Sequence, residues 1–428
     1  MFYMYYEAQE PNTPLEETPI VLWLQGGPGC SSFFGMMYIN GPYFVNDDLT
    51  LRKNAASWGR LYGLLFIEQP IGVGFSRVGS AKIPDNELDV GYDLYRALQS
   101  FYRQHPAWAN RELIVTGESY AGKYAPSIAH FILQASARAN GFEHRLKHPR
   151  ELKQDLDEPL FRLGGLAVGN GFTDAETQTA VQAEVAWGMG LIDMAQRKEA
   201  ERIQDEIIEL VRSREWVAAR NRSDDLLRFI TEASGSASLE DVRRNTGYDS
   251  RYMVDAFLNQ GHVRSWLAPL GIPATEEFPW VCCSPEVDRA LSGDVMRSVK
   301  NLVIDLLAFK PVLLYQGQWD AECGVGSNDA WISTLQWKGH GGFTAAPRKF
   351  WMVNERIAGY WKTFETLDVL ILRNTGHMVP HDNPLIGQLF LERWVETAVR
   401  GRPYDRENHV TQADEDAVAN PDQAEHST

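Results

Sequence analysis

Gly117-Glu118-Ser119-Tyr120-Ala121-Gly122 is the stretch of this 428-residue chain that decides its fold. An apolar run at 112–116 precedes it and predicts a short buried strand, and a segment with helical spacing of apolar residues follows at 123–135. Small residues flank the serine, as a sharp strand-to-helix turn requires. The start of the helix directs backbone N–H groups and the positive end of the helix dipole at the serine. Ser119 is therefore a candidate nucleophile on a tight turn.

Two further residues could activate this serine. A serine hydroxyl is a weak nucleophile, so it needs a base and a group that orients the base. His377 lies in Asn-Thr-Gly-His-Met-Val-Pro at 374–380, and Asp320 ends Gln-Gly-Gln-Trp-Asp at 316–320. Each segment follows an apolar run that predicts a strand, and open α/β sheets form their sites beyond the carboxyl ends of strands. The chain order Ser119, Asp320, His377 is that of α/β-hydrolases and predicts a catalytic triad.

A glycine-rich loop supplies a fourth feature. Trp-Leu-Gln-Gly-Gly-Pro-Gly-Cys-Ser-Ser at 23–32 follows an apolar run at 20–22 that predicts another strand. Such a loop lets backbone N–H groups approach a ligand, and hydrolases use this position for the second donor to an oxyanion. An ordinary Gly-Pro turn is the alternative interpretation of this loop.

Together these segments resemble the serine carboxypeptidases, and the resemblance runs from about residue 2 to about residue 394. Tyr-Gln-Gly-Gln-Trp-Asp at 315–320, followed by Trp-Lys-Gly at 337–339, resembles the vitellogenic-like and retinoid-inducible branch most. The resemblance implies an α/β-hydrolase fold, with a central, mostly parallel sheet flanked by helices and a helical cap insertion. Because no cysteine or histidine cluster has the spacing of metal ligands, we predict no metal and no cofactor.

The resemblance also implies a role for each matching residue. It implies that Ser119 is the nucleophile, His377 its base and Asp320 the partner of the base. The backbone N–H groups of Gly27 and Tyr120 would donate to the oxyanion, and Gln25, Gly26 and Glu118 would bind the substrate's terminal carboxylate. Cys323 and Met378 would line the substrate pocket.

The chemistry of an exopeptidase agrees with the carboxylate-binding residues. The side-chain amide of Gln25 and the N–H of Gly26 are neutral donors suited to a terminal carboxylate. Glu118 can donate only when it is protonated, because two ionised carboxylates repel each other, and this predicts activity at acidic pH. One position departs from the family, in which a second glutamate commonly stands two residues before the Gly-Pro at 41–42. Here that position is Ile39, so the acidic network is expected to be thinner.

The chain has four cysteines. The resemblance implies a disulfide between Cys30 and Cys283 that braces the active-site loop, although pairing through the adjacent Cys282 stays open from the residues alone. Family disulfides imply an oxidising compartment, so we expect a vacuolar, lysosomal or secreted protein. Asn-Arg-Ser at 221–223 is a glycosylation sequon.

The interval between the serine and the aspartate is longer than a minimal hydrolase needs. We predict a hydrolase core at 1–180 and 301–400, a mainly helical cap insertion at 181–300, and an acidic disordered tail at 401–428. Apolar residues at helical spacing run through 194–229 of the cap. No signal-peptide pattern opens the chain, and its first residues resemble the family's second strand, so we expect an N-terminally truncated core.

Net charge and hydropathy limit the partners. A formal charge of −16 argues against nucleic acid and anionic membranes, and no apolar run reaches the ~18 residues of a membrane span. We predict a serine carboxypeptidase that removes single C-terminal residues from peptides or proteins through an acyl-enzyme at acidic pH, with a homodimer left open. The alternatives are a carboxypeptidase-like acyltransferase, an ordinary esterase or lipase, and a catalytically weak scaffold homologue that protects partner proteins. The carboxylate-binding residues argue against the esterase, and the intact triad argues against the scaffold.

Overall fold

The strands form one large sheet and one small hairpin. The computed structural model describes residues 1–151, 157–248, 251–272, 278–411, 414–415 and 418. The strands are β1 (Tyr3–Tyr6), β2 (Ile20–Leu24), β3 (Tyr43–Val45), β4 (Leu51–Lys53), β5 (Gly63–Ile67), β6 (Glu112–Glu118), β7 (Arg162–Gly169), β8 (Val312–Gly317), β9 (Lys349–Val353), β10 (Arg356–Phe364) and β11 (Leu367–Leu372).

Most helices follow strands or lie between β7 and β8. They are α1 (Ser32–Tyr38), α2 (Glu87–Gln104), α3 (Ala121–Ala139), α4 (Ala175–Thr179), α5 (Gln182–Gly188), α6 (Met194–Arg212), α7 (Trp216–Ser234), α8 (Arg251–Leu258), α9 (Gly261–Leu267), α10 (Pro285–Leu291), α11 (Lys300–Leu307), α12 (Val325–Ile332), α13 (His340–Ala345), α14 (Val379–Asp382) and α15 (Pro384–Trp394). Short 3-10 helices lie at Leu15–Glu17, Pro106–Trp108, Glu143–Arg145, Ala268–Leu270 and Arg406–Asn408, and a π-helical turn lies at Val395–Val399.

Within the described residues the large sheet has nine strands in the order β1-β5-β2-β6-β7-β8-β11-β10-β9. The six central strands, β5, β2, β6, β7, β8 and β11, pair in parallel. At the edges the pairing is antiparallel: β1 pairs with β5 on one side, and β10 pairs with β11 and β9 on the other. A mostly parallel sheet needs helices on both faces, because crossover connections put them there. This is the α/β-hydrolase fold, and the predicted fold class is confirmed.

Alternation along the buried strands builds a core on each face of the sheet. In β2, Ile20, Leu22 and Leu24 pack with α2, α3 and α11, whereas Val21 and Trp23 pack with α1 and α15 on the other face. Neighbouring side chains of a strand point to opposite faces, so a continuous apolar run fills both layers. The sheet is therefore buried on both sides, and its functional groups lie at the ends of its strands.

The segment between β7 and α11 is mainly helical, and we interpret its helices as the predicted cap. Three of them, α5, α6 and α7, share a separate apolar core that contains Ile203, Ile207 and Val211. The segment at 194–229, for which the sequence predicts helical structure, forms two helices, α6 and α7. The chain reverses between them at 213–215, where Arg214 has a φ of 62°. None of the described helices is long and apolar enough to cross a membrane.

The predicted tail begins on the surface of the core. Its 3-10 helix packs on β9, where Asn354 N donates to the carbonyl of Glu407, and Val410 is buried. From 412 onward only residues 414–415 and 418 are described, so half of the predicted disordered tail lies outside the described residues.

Candidate active site

Ser119 lies on the turn between β6 and α3, in a backbone conformation that a non-glycine residue rarely adopts. Its φ is 63°. The turn is held because Ser119 N donates to the carbonyl of Gly169 at 3.1 Å, and the Ser119 carbonyl accepts from Gly122 N at 2.8 Å. A Cβ at Gly117 would lie 2.6 Å from Cβ of Ala121, so the strand and helix require a glycine there. Strained residues of this kind cluster at functional sites.

Asp320 and His377 are hydrogen-bonded partners beyond the ends of β8 and β11. His377 Nδ1 lies 2.6 Å from Asp320 Oδ2, and both side chains are buried. Asp320 Oδ2 also accepts from Asn170 Nδ2 at 2.7 Å, and its Oδ1 accepts from the backbone N–H groups of Glu322 and Cys323. Each lone-pair direction of this carboxylate therefore has a donor, which fixes the imidazole that it holds.

The other ring nitrogen of His377 is buried. Among the described residues Nε2 has no hydrogen-bond partner, and His377 lines the same cavity as Ser119. Among the described residues no hydrogen bond joins Ser119 to His377. In free enzymes the bond between a nucleophile and its base is often long and shortens when substrate binds. Burial alone would lower the pKa of His377, but the nearby Asp320 carboxylate outweighs it and raises that pKa well above its usual range.

The glycine-rich loop after β2 packs directly against the serine turn. A Cβ at Gly26 would lie 2.5 Å from Tyr120 N and 2.8 Å from Ser119 Cβ, so only glycine fits. Gly27 has a φ of 117° and is exposed. The backbone N–H groups of Gly27 and Tyr120 donate no hydrogen bond within the described residues. The loop thus brings two available donors to the neighbourhood of Ser119.

Gln25 and Glu118 form a buried pair beside these donors. The indole of Trp23, which can only donate, bonds Gln25 Oε1 at 3.1 Å, so the amide turns Nε2 toward Glu118 Oε1 at 3.2 Å. Glu118 is 0% exposed, and its Oε2 has no partner among the described residues. Burial raises the pKa of Glu118 to about 8. Ile39, also 0% exposed, adds no acidic group to this pair.

Two cavities meet at Ser119, and each contains one of the expected pocket residues. The Cys323 cavity, of about 140 Å³, is lined by Cys323 and Tyr120 among others. The Met378 cavity, of about 450 Å³, is lined by Met378, Gln25 and His377 among others. Burial raises the pKa of the Cys323 thiol well above its usual range, so Cys323 contributes a neutral wall.

The disulfide joins Cys30 to Cys283, as the resemblance implied. Their Cα atoms are 3.9 Å apart, below the usual range of about 4.4–6.8 Å, and the two residues lie directly opposite each other in an antiparallel bridge. Backbone hydrogen bonds flank it, from Ser31 N to the Cys282 carbonyl and from Ser284 N to the Gly29 carbonyl. Cys282 Sγ is buried 3.8 Å from Cys283 Sγ. The glycine-rich loop is thereby bound to the start of α10.

Three groups at the site were not singled out from the sequence. Asn170, at the end of β7, bonds the carboxylate of Asp320, and its place at a strand end was an available signal. Glu322 and Glu240 line the Met378 cavity. Glu240 lies on an irregular segment after α7, where no local pattern indicates a site. Asn221 of the sequon is exposed on α7, and its glycosylation stays a prediction.

Comparisons with known proteins agree with this arrangement. A family model described as serine carboxypeptidase matches residues 1–397. Serine carboxypeptidase-like 50 of Arabidopsis thaliana is 40% identical over 92% of this chain and 84% of its own length. The human probable serine carboxypeptidase CPVL is 31% identical over 92% of this chain and 80% of its own length.

The structural comparison gives the same family. The structure of Kex1(delta)p, a prohormone-processing carboxypeptidase of Saccharomyces cerevisiae, superposes with a TM-score of 0.76 at 26% identity, covering 92% of this chain and 86% of that one. The resemblance in the sequence motifs is thus confirmed, and the chain belongs to the serine carboxypeptidase family, whose members are hydrolases of the exopeptidase type.

Proposed function

We propose that this protein releases single C-terminal residues from peptides and proteins through an acyl-enzyme, on the acid side of pH 8. The observation that carries the proposal is the bond between Asp320 and His377 Nδ1, together with the unpartnered Nε2 of the same ring and the cavity that His377 shares with Ser119. The buried pair of Gln25 and Glu118 beside it supports a carboxypeptidase over a general esterase.

The residues suit a two-step acyl transfer. His377 Nε2 takes the proton of Ser119 Oγ while this oxygen attacks the carbonyl carbon of the last peptide bond. The N–H groups of Gly27 and Tyr120 donate to the oxyanion. The C–N bond then breaks as His377 returns the proton to the leaving amine. A water activated in the same way hydrolyses the ester and frees Ser119. Asp320 stabilises the imidazolium that forms in each step.

Recognition of the terminal carboxylate sets the pH range. Gln25 Nε2 and Gly26 N–H serve as neutral donors, and Glu118 Oε2 donates while it carries a proton. With a pKa of about 8, Glu118 stays protonated over the acidic and neutral range and ionises above it. Because the pKa of His377 is also raised, well above its usual range, lowering the pH protonates the base, so activity should be highest toward the upper end of the range in which Glu118 keeps its proton.

The cavities and the disulfide support two further parts of the proposal. Met378 and Cys323 line the spaces on either side of Ser119 that the two parts of a substrate would occupy. A disulfide persists in an oxidising compartment, so we place the protein in a vacuole or lysosome or outside the cell. A homodimer stays a prediction that light scattering of the purified protein can test.

Ser119→Ala tests the proposed function. We expect this variant to release amino acids from N-blocked dipeptides on the order of 10⁴- to 10⁶-fold more slowly than the wild type. Its melting temperature should be unchanged. Released amino acids are identified by mass spectrometry. Near-normal release would remove Ser119 from the mechanism.

The same assay separates the alternatives. C-terminally amidated dipeptides should react poorly, because they lack the carboxylate that Gln25 and Glu118 bind. Added alcohols should not divert most of the product to esters, as they would in an acyltransferase. If the wild-type protein released no amino acid from any dipeptide between acidic and neutral pH, the scaffold alternative would replace the proposed one.

A further inference from the structure

A second carboxylate, Asp382, holds the loop that carries His377. Asp382 is the last residue of α14, and its side chain is 3% exposed. Its Oδ2 accepts from Gly376 N at 2.5 Å, so it binds the residue that directly precedes His377. A Cβ at Gly376 would lie 2.5 Å from Cβ of Asp241, so the loop packs closely against the cap at this point.

The side-chain partners of Asp382 come from the cap, between α7 and α8. Arg244 Nη2 donates to Asp382 Oδ1 at 3.0 Å, and Tyr248 OH donates to its Oδ2 at 2.9 Å. Arg243 pairs with the buried Asp241, with Nε 2.8 Å from Oδ1 and Nη2 2.7 Å from Oδ2. Two arginines therefore neutralise two buried carboxylates, as charges in a protein interior require.

The same part of the cap supports the backbone of both catalytic loops. His377 N donates to the Glu240 carbonyl at 2.8 Å. The Asp320 loop is bound beside it, because Val242 N donates to the Trp319 carbonyl at 3.2 Å. The cap is thus a common support for the two residues whose side chains share the 2.6 Å bond.

On its other side, α14 is attached to the hydrolase core. His381 Nδ1 lies 2.9 Å from the carbonyl of Tyr38 at the end of α1, and the two rings stack with their centroids 3.9 Å apart. Burial lowers the pKa of His381 to about 4, so the ring stays neutral and donates Nδ1–H to this carbonyl. Asp382 directly follows this attachment, so its carboxylate is itself fixed in place.

Asp382 acts on His377 without touching its ring. Within the described residues, Nδ1 of His377 is bonded to Asp320 and Nε2 has no partner, so no hydrogen bond joins the ring to Asp382. The only route from Asp382 to the imidazole in this part of the structure is the backbone at Gly376. A shift of about 1 Å at a catalytic group can cost about 10²-fold in rate, so the position of this backbone matters for the reaction.

We propose that Asp382 is a positioning residue for His377, and that the cap affects turnover through it. The inference rests on the proposed function, because it requires His377 to be the base. Arg244 and Tyr248 fix the carboxylate of Asp382, and this carboxylate fixes the peptide group before His377. The ring is thereby placed where it can take the proton of Ser119.

Asp382→Asn and Tyr248→Phe test the inference. Asp382→Asn should lower kcat by about tenfold or more, for an N-blocked dipeptide and for a matched ester alike, because both reactions need the base. KM should change by less than about twofold, because Gln25, Gly26 and Glu118 do not lie on this loop. Tyr248→Phe removes one hydrogen bond and no charge, so it should lower kcat by a smaller factor.

A merely structural role would lower stability without this separation of kcat from KM. Glu392→Gln is the matched control, because its carboxylate is also buried but pairs with Arg60 and Tyr404 rather than with a catalytic loop. It should lower the melting temperature and leave kcat per mole of folded enzyme unchanged. Glu232→Gln, which removes an exposed carboxylate on α7, should change neither. Folded enzyme is isolated by size-exclusion chromatography before each assay.

The outcomes separate this inference from the proposed function. If the wild-type protein cleaves neither the dipeptide nor the ester, the proposed function fails and the inference fails with it. If the wild type is active but both variants keep its kcat, or if Glu392→Gln loses as much kcat as Asp382→Asn, Asp382 has only a structural role. If Asp382→Asn does not fold, the kcat of Tyr248→Phe decides, and a wild-type value would overturn the inference.

Discussion

At the scale of single residues, Glu118 couples substrate recognition to pH. One carboxylate oxygen accepts from Gln25, and the other has no partner among the described residues. Because the pKa of Glu118 is about 8, the free oxygen carries a proton over the range in which we propose that the enzyme works. Above this range, the ionised side chain would repel the terminal carboxylate of the substrate.

Glu118→Gln should therefore change the alkaline side of the pH profile. Glutamine keeps a donor at every pH, so peptidase activity should extend to higher pH, mainly through a lower KM there. Ester substrates without a free carboxylate should respond much less. The measurement is kcat and KM for an N-blocked dipeptide and a matched ester across the pH range. An unmoved alkaline limb for the dipeptide would leave recognition to Gln25 and backbone donors alone.

Local patterns in the sequence identified the residues that the structure brings together at the site. Ser119, Asp320 and His377 each follow a strand, and this common position predicted their proximity. Glu240 could not be found in this way, because it reaches the site through backbone bonds between an irregular cap segment and two core loops. Such contacts depend on how distant parts of the chain pack, and no short motif records them.

At the scale of elements, the connection between the glycine-rich loop and α10 supports the oxyanion donors. The disulfide closes a separation of 253 residues, and the loop that it holds contacts the serine turn at Gly26. Its removal should therefore affect activity as well as stability.

Replacing both Cys282 and Cys283 with serine removes the disulfide and prevents Cys282 from taking over. We expect a loss of about 2–5 kcal/mol in the free energy of unfolding and a lower kcat, because the loop carrying Gly27 loses its brace. Denaturant unfolding and dipeptide hydrolysis measure the two effects. Cys282→Ser alone is the control and should keep the disulfide. A double variant with wild-type kcat would show that the brace does not position the donors.

The boundary between α6 and α7 in the cap could not be predicted from the sequence. Ile203, Ile207 and Val211 of α6, and Leu226 of α7, all face one apolar core, so helical spacing continues across their junction. The break at Arg214 leaves that spacing intact, because both helices bury residues in the same layer. The strands were easier to predict, since continuous apolar runs such as that of β2 are typical of the strands of a parallel sheet, which are buried on both faces.

At the scale of the whole molecule, buried glutamates link folding to pH. Burial raises the pKa of Glu68, Glu87 and Glu322 to about 7 and that of Glu118 to about 8. In the unfolded chain these groups titrate near their usual values. At a pH between the unfolded-state and folded-state pKa values, the folded protein retains protons that the unfolded chain has lost. The free energy of unfolding therefore falls as the pH rises toward the folded-state pKa values.

Other groups act in the opposite direction, but only at lower pH. Burial lowers the pKa of His381 to about 4 and also lowers that of His130, so both reduce stability as the pH falls below the usual histidine range. Despite burial, hydrogen bonds lower the pKa of Asp305, so its contribution is lost only in strong acid. Above about pH 6.5 the glutamates therefore dominate. His377 adds to them, because the stability from its raised pKa is lost as the pH rises through that value.

We expect the melting temperature to fall by roughly 5 °C between about pH 6 and about pH 8.5. Thermal unfolding followed by circular dichroism in buffers of equal ionic strength measures the change. Glu118→Gln removes one of the linked protons, so its melting temperature should depend less steeply on pH, whereas Glu232→Gln should follow the wild type. A melting temperature that stayed constant or rose over this range would mean that the buried glutamates are ionised in the folded protein. Glu118 would then have no proton to donate to a substrate carboxylate at neutral pH, and recognition in the proposed mechanism would depend on Gln25 and Gly26.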